Sequence, residues 1–158
     1  MAFGFIPIVH IVAAVFSIIE LGLTAYVASA YHSLSPWTGG YSPSRVNFMI
    51  FNSIWSLLVL IYVGLTPLYM TSVFHRLAAL VLNALTTIFW FAGAIALAVF
   101  VGGPWDCGGD NFCGSIEAAV AFGFFLWALF TFLTVLDALD SLRSRGHTVN
   151  KPHAYPGA

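Results

Sequence analysis

Four stretches of the chain are each apolar over about twenty residues or more, the length an α-helix needs to cross the roughly 30 Å hydrocarbon core of a bilayer. The first runs from Ile6 to Ala30, the second from Val46 to Thr66, the third from Leu77 to Val101 and the fourth from Ser115 to about Leu139. None of them alternates apolar with polar residues for long, which excludes the strands of a membrane barrel. Only 7% of the 158 residues are charged, against about 25% in a soluble domain. Mean hydropathy is +0.94, and a chain this short could not hide that much apolar surface from water. Net charge is −1 with no basic block, so nucleic acid is excluded as a partner.

The connections are short. Residues 32–44 hold Pro36, Gly39, Gly40 and Pro43, the segment from Pro67 to His75 reads as a tight turn, and residues 102–114 are rich in glycine. Short links make sequence neighbours antiparallel neighbours in space. The expected fold is therefore all-α: an up-down four-helix transmembrane bundle, M-shaped, over residues 1–140, with a short, flexible polar tail at 141–158. Arg76, Arg143, Arg145 and Lys151 fall on the side of the second loop and the tail, and Arg45 alone falls on the other. The positive-inside rule then puts both termini in the cytosol. No basic residue precedes the first apolar run and Glu20 interrupts it, so it reads as a retained span rather than a cleaved leader. Tyr26, Tyr31, Trp37, Tyr41 and Trp105 mark the outer interface, and Tyr69 and Phe74 the inner one.

The two cysteines, Cys107 and Cys113, lie in the third loop, which this topology places outside the cytosol. An oxidising compartment and the flexible Gly108-Gly109 pair favour a structural disulfide over a redox pair, which usually reads Cys-X-X-Cys. Glu20 is the one ionisable residue deep in a span. With Ser17 and Thr24 it forms a narrow polar stripe that should face the bundle, with the carboxyl buried, paired or protonated. Asn52 and Trp90 reach a similar depth and are its expected partners. Helix–helix adhesion is favoured over a proton or ion relay, because a relay strings several acids or histidines together and His10 lies too far along the axis. Asn83, Thr86 and Thr87 form a second polar cluster. Gly22, Gly93, Ala119 and Gly123 are expected to let helix backbones approach. No acid–base pair, activated nucleophile or metal-ligand cluster is visible, so neither enzyme activity nor a cofactor or metal is expected.

Several segments resemble the MARVEL-domain tetraspans, in particular their fungal branch, over about residues 6–140. They are Ser17-Ile18-Ile19-Glu20-Leu21-Gly22-Leu23-Thr24 in the first span, and Ser42-Pro43-Ser44-Arg45-Val46-Asn47-Phe48 with Phe51-Asn52-Ser53-Ile54-Trp55 in the second. Asn83-Ala84-Leu85-Thr86-Thr87-Ile88-Phe89-Trp90-Phe91-Ala92-Gly93 in the third and the cysteine pair in the last loop complete the set. The resemblance implies an M-shaped tetraspan with cytosolic termini that acts in membrane apposition, trafficking or the organisation of lipid domains, without catalytic residues. Within that branch the chain is similar to the non-classical export proteins, which are associated with sterol- and sphingolipid-linked plasma-membrane domains and eisosomes. The expected function is a non-enzymatic organiser with membrane lipids, sterol or sphingolipid among them, and other membrane proteins or further copies of itself as partners. An accessory subunit of a larger membrane enzyme or pump, and a small transporter or channel, are the alternatives.

Overall fold

The computed structural model describes residues 5–34, 42–69, 76–102 and 107–148. They form four helices in chain order: α1 (Phe5–Leu34), α2 (Ser44–Tyr69), α3 (Arg76–Val101) and α4 (Asn111–Thr148). Helix is what hydrocarbon demands, because it satisfies each backbone N–H and C=O inside its own segment where no water can. All four are long and apolar enough to span a bilayer.

The helices close into a ring in which α1 packs on α2 and α4, and α3 packs on α2 and α4. Along the α3–α4 seam, Asn83 meets Asp137, Phe91 meets Trp127 and Gly93's neighbour Ala94 meets Gly123. Partners rise on one helix as they fall on the other, so the pair is antiparallel. The described chain ends, Phe5 and Thr148, consequently share one end of the bundle, the terminal end. Cys107 and Cys113 sit at the opposite, disulfide end.

Local chemistry explains where the helices begin and stop. The Pro43 carbonyl accepts the Val46 and Asn47 N–H groups at 2.9 and 3.2 Å, opening α2, and the Ser42 hydroxyl donates to Asn47 Oδ1. α2 continues to Tyr69, so Pro67 lies in its last turn rather than opening the expected turn. There it forfeits the one ladder bond its N–H would give to the Val63 carbonyl, with the helix ending two residues later. α4 begins at Asn111, four residues before Ser115, because Asp110 caps it: the Phe112 N–H donates to Asp110 Oδ1 at 3.1 Å. It also runs past Leu139 to Thr148, so residues 141–148, expected to belong to a flexible tail, are helical. Leu142, Arg143 and Arg145 are good helix formers. Residues 149–158 lie outside the described part.

The packing is inverted relative to a soluble bundle. Ser17, Glu20, Thr24, Asn52, Ser53, Ser56, Asn83 and Thr86 are all buried, whereas Ile11, Ile18, Leu58, Ile88 and Val99 are exposed. The apolar core between these polar groups is built from Trp90, Phe130, Met49, Leu97, Leu126 and Leu133. Of the residues expected to bring backbones together, Gly93, Ala119 and Gly123 face the interior. A Cβ on Gly93 would stand 2.7 Å from Met49 Sδ and 2.8 Å from Asn52 Nδ2, and one on Gly123 would stand 3.1 Å from Met49 Cε. Gly22 is different. It is exposed, with no atom of another described helix within 4 Å of a Cβ there, so among the described residues it packs no helix pair. It shares α1 with the Ser17–Glu20–Thr24 stripe but points to another side of the helix.

This contrast predicts opposite outcomes for the same substitution. Gly93→Ala should destabilise the bundle by about 1–3 kcal/mol through overpacking. Gly22→Ala should be neutral or stabilising by up to about 1 kcal/mol, since only helix propensity changes. Thermal unfolding of both variants in one detergent would test the difference.

Candidate functional site

The polar residues gather at three levels. At the disulfide end, Cys107 and Cys113 are bonded, with Cα atoms 5.5 Å apart. Between them the chain reverses at Gly108 and Gly109, both with positive φ (52° and 88°). The Asp110 N–H closes the turn on the Cys107 carbonyl at 2.7 Å. Two successive positive φ values define a primed turn that side-chain-bearing residues resist. The bridge thus staples this turn to the first turn of α4. Beside it, Tyr31 packs on Phe100 and Phe112, and the Arg45 guanidinium lies 5.3 Å over the Phe100 ring. Tyr26 is exposed. Trp37, Tyr41, Trp105 and Phe74, expected at the interfaces, lie outside the described residues.

The middle level contains the stripe of α1. Ser17, Glu20 and Thr24 face inward, with Ala13 and Val27 continuing the same line. Thr24 Oγ1 donates to the Glu20 carbonyl at 2.7 Å. The Glu20 carboxylate is fully buried, yet neither of its oxygens meets a donor among the described residues. Its two expected partners are engaged elsewhere. Asn52 Nδ2 donates to the Phe89 carbonyl at 3.0 Å, and Trp90 Nε1 donates to Ser56 Oγ at 2.7 Å. With Trp55 Nε1 donating to Thr86 Oγ1 at 3.0 Å, these bonds bind α2 to α3. Asn52 and Trp90 are drawn to that seam because two helices in contact offer fixed acceptors along their whole length, and an indole N–H without one is costly in hydrocarbon.

The third level lies toward the terminal end and joins α3 to α4. Asn83 Nδ2 donates to Asp137 Oδ2 at 2.6 Å, and the Thr87 and Thr134 hydroxyls meet at 3.1 Å. His10 Nδ1 donates to the Ile6 carbonyl at 2.9 Å. The sequence pattern marks Asn83 and Thr87 as a polar cluster but does not single out their partners Thr134 and Asp137. The signal was present as two matched polar pairs, Asn83 with Thr87 at i, i+4 and Thr134 with Asp137 at i, i+3, on helices that must run antiparallel.

α2 carries a row of aromatic rings in which Phe51 is exposed and Phe48 and Trp55 are half-buried. Phe48 stacks on Phe51 and Phe51 on Trp55, with centroids 6.3 and 6.1 Å apart and planes inclined by only 23° and 25°. Phe89 of α3 lies within 6.2 Å of each ring. The arrangement offers a flat apolar surface outside and oxygen-rich chemistry inside. Among the described residues no cluster of histidine, cysteine and carboxylate side chains is placed to hold a metal.

The profile of the membrane-associating MARVEL domain matches residues 3–136. The chain is also similar to the non-classical export protein 2 homolog 1 of Saccharomyces cerevisiae, at 29% identity over 156 residues, which cover 90% of this chain and 84% of the relative. No solved structure matches it.

Two substitutions probe the seams. Asn83→Leu removes the donor to a half-buried carboxylate and should cost about 1–3 kcal/mol, whereas Ser29→Ala, at an exposed hydroxyl, should change nothing measurable in the same thermal melt. Cys107→Ser opens a short loop and should cost about 2 kcal/mol in the chain-entropy account. Reduction of the native protein should lower its melting temperature to match.

Proposed function

The chain belongs to the MARVEL family of membrane-associating domains, and from that premise we propose that it is a non-enzymatic organiser of lipid and protein in the plane of the membrane. The observation that carries this reading is the segregation of its surfaces. The polar groups that could do chemistry are buried between helices, and what faces lipid is a broad apolar wall that includes an aromatic row, with Phe51 exposed between half-buried Phe48 and Trp55. Planar rings presented in a row favour a rigid, planar lipid such as sterol over a disordered acyl chain, because less conformational freedom is lost on contact. The small, exposed Gly22 leaves α1 open to close approach by another helix, the geometry that membrane helices use for association. We therefore place lateral contacts to lipid and to a second copy, or to another membrane protein, on the outer faces of α1 and α2.

The family, the charge distribution and the yeast relative support a setting at the plasma membrane with both termini in the cytosol. The relative's name refers to export, a trafficking context compatible with such an organiser. Membrane proteins of this kind act by changing what is near what, and they need no reacting group of their own.

Native mass spectrometry from nanodiscs formed directly out of membranes tests the proposal. The expected result is bound lipid and masses above the 17.1 kDa protomer, with Phe51→Ala reducing the sterol retained by roughly two-fold or more, as expected for losing one ring of a stacked surface. A strictly monomeric particle indifferent to lipid would overturn it. A fixed-stoichiometry complex with a membrane enzyme or pump would replace it with the accessory-subunit reading.

A further inference from the structure

Four oxygen atoms at the middle of the core meet no donor among the described residues: both carboxylate oxygens of Glu20, Asn52 Oδ1 and Ser17 Oγ. All three residues are fully buried. Packing sets them at one level. Phe16 meets Phe122 and Phe125, and Tyr31 meets Phe112, which puts the stretch from Ser17 to Glu20 opposite the Ala119–Gly123 region of α4. Gly123 adjoins Met49 Cε and Ala94, and Gly93 adjoins Met49 and Asn52, which brings Asn52 to the same height.

The amide of Asn52 is also oriented. Its nitrogen is fixed on the Phe89 carbonyl of α3. Amide nitrogen and oxygen diverge from one carbon, so Oδ1 is turned away from that acceptor. The absent side chain of Gly93 is what makes room for this amide. Glu20 lies near the midpoint of α1, roughly 22 Å from either end at 1.5 Å per residue. Among the described residues, Arg45 and Arg76 lie at the starts of α2 and α3, and Arg143 and Arg145 in the last two turns of α4. His10 is about 15 Å away along the axis. Among the described residues no lysine, arginine or histidine therefore lies close to the carboxylate.

We propose that Glu20, Asn52 and Ser17 form an occluded site for one small monovalent alkali cation, the class to which sodium belongs. An all-oxygen ligand set suits a hard cation. A single carboxylate matches a single positive charge, whereas a divalent ion would leave net charge in hydrocarbon.

The test uses the purified full chain in lipid nanodiscs at constant ionic strength, with choline chloride exchanged for sodium chloride. Saturable binding of sodium-22 in a scintillation proximity assay is expected, with displacement by lithium and not by choline, and a melting temperature that rises with sodium. Glu20→Gln keeps the shape, removes the charge, and should weaken sodium binding about tenfold or more, as loss of the one charged ligand does. Ser17→Ala should weaken it to a lesser degree, and this variant decides the matter if Glu20→Gln does not fold. Absence of saturable sodium binding by the wild-type protein overturns the proposal. So does a melting temperature that responds to pH and not to sodium, because a proton alone then neutralises the carboxylate. Unchanged binding in Glu20→Gln also overturns it.

Discussion

Every feature of this molecule follows from the absence of water around its waist. A backbone amide in hydrocarbon has no solvent to turn to, so each span must close its hydrogen bonds on itself, and each becomes a helix. The same constraint acts on side chains with the opposite spatial result from a soluble protein. Apolar residues gain nothing by leaving lipid for the core, because lipid is as apolar as they are. Polar residues gain a great deal. Glu20, Asn52, Ser56, Asn83 and Thr86 are consequently buried, and Ile11, Ile18 and Val99 are not.

With no hydrophobic force between helices, specific adhesion has to come from close packing and from the few polar contacts. Each seam shows its own solution. α2 and α3 are joined by Asn52, Trp55 and Trp90, and α3 and α4 by Asn83 with Asp137 and Thr87 with Thr134. α1 meets α4 through aromatic edges at Phe16 and Tyr31. Interhelical hydrogen bonds of this sort contribute only about 0.6–2 kcal/mol each in a membrane. Several together, with the glycine contacts at Gly93 and Gly123, suffice to set which helices are neighbours and in what register. At the disulfide end the covalent bridge does the same work where the chain emerges from hydrocarbon and these forces weaken.

The division of labour between inside and outside bears on function. A bundle whose polar groups are engaged internally leaves its outer wall free to specialise in lateral contact, and the stacked rings along α2 are such a specialisation. The buried carboxylate of Glu20 stands apart from this economy. Burial of an unpartnered carboxylate costs several kcal/mol, more than the seams around it contribute singly. Among the described residues it is the one carboxylate with both oxygens buried and unpartnered, next to the unpartnered oxygens of Ser17 and Asn52, which is why this position invites a chemical explanation of its own.

Much of this architecture was legible in the one-dimensional pattern. The length of the apolar runs determined the number of helices, the short links their antiparallel order, and the spacing of Ser17, Glu20 and Thr24 the inward direction of that stripe, because bilayer thickness, link length and helical periodicity act on the local chain. The spacing of Cys107 and Cys113 around two glycines suggested the loop that closes between them. The boundaries were less visible, since the Asp110 cap and the helical extension to Thr148 depend on which backbone groups find partners. Pairing was not legible at all. Asn52, Trp90 and Glu20 share a depth, but depth leaves the azimuth open, and only the assembled bundle turned the first two toward α2–α3 contacts and left the third without a donor. The same holds for Gly22 and Gly93, identical in composition and alike in setting along the sequence. The tertiary structure alone decided that one faces open space and the other a sulfur and an amide, because close approach is a property of two helices and is written in neither.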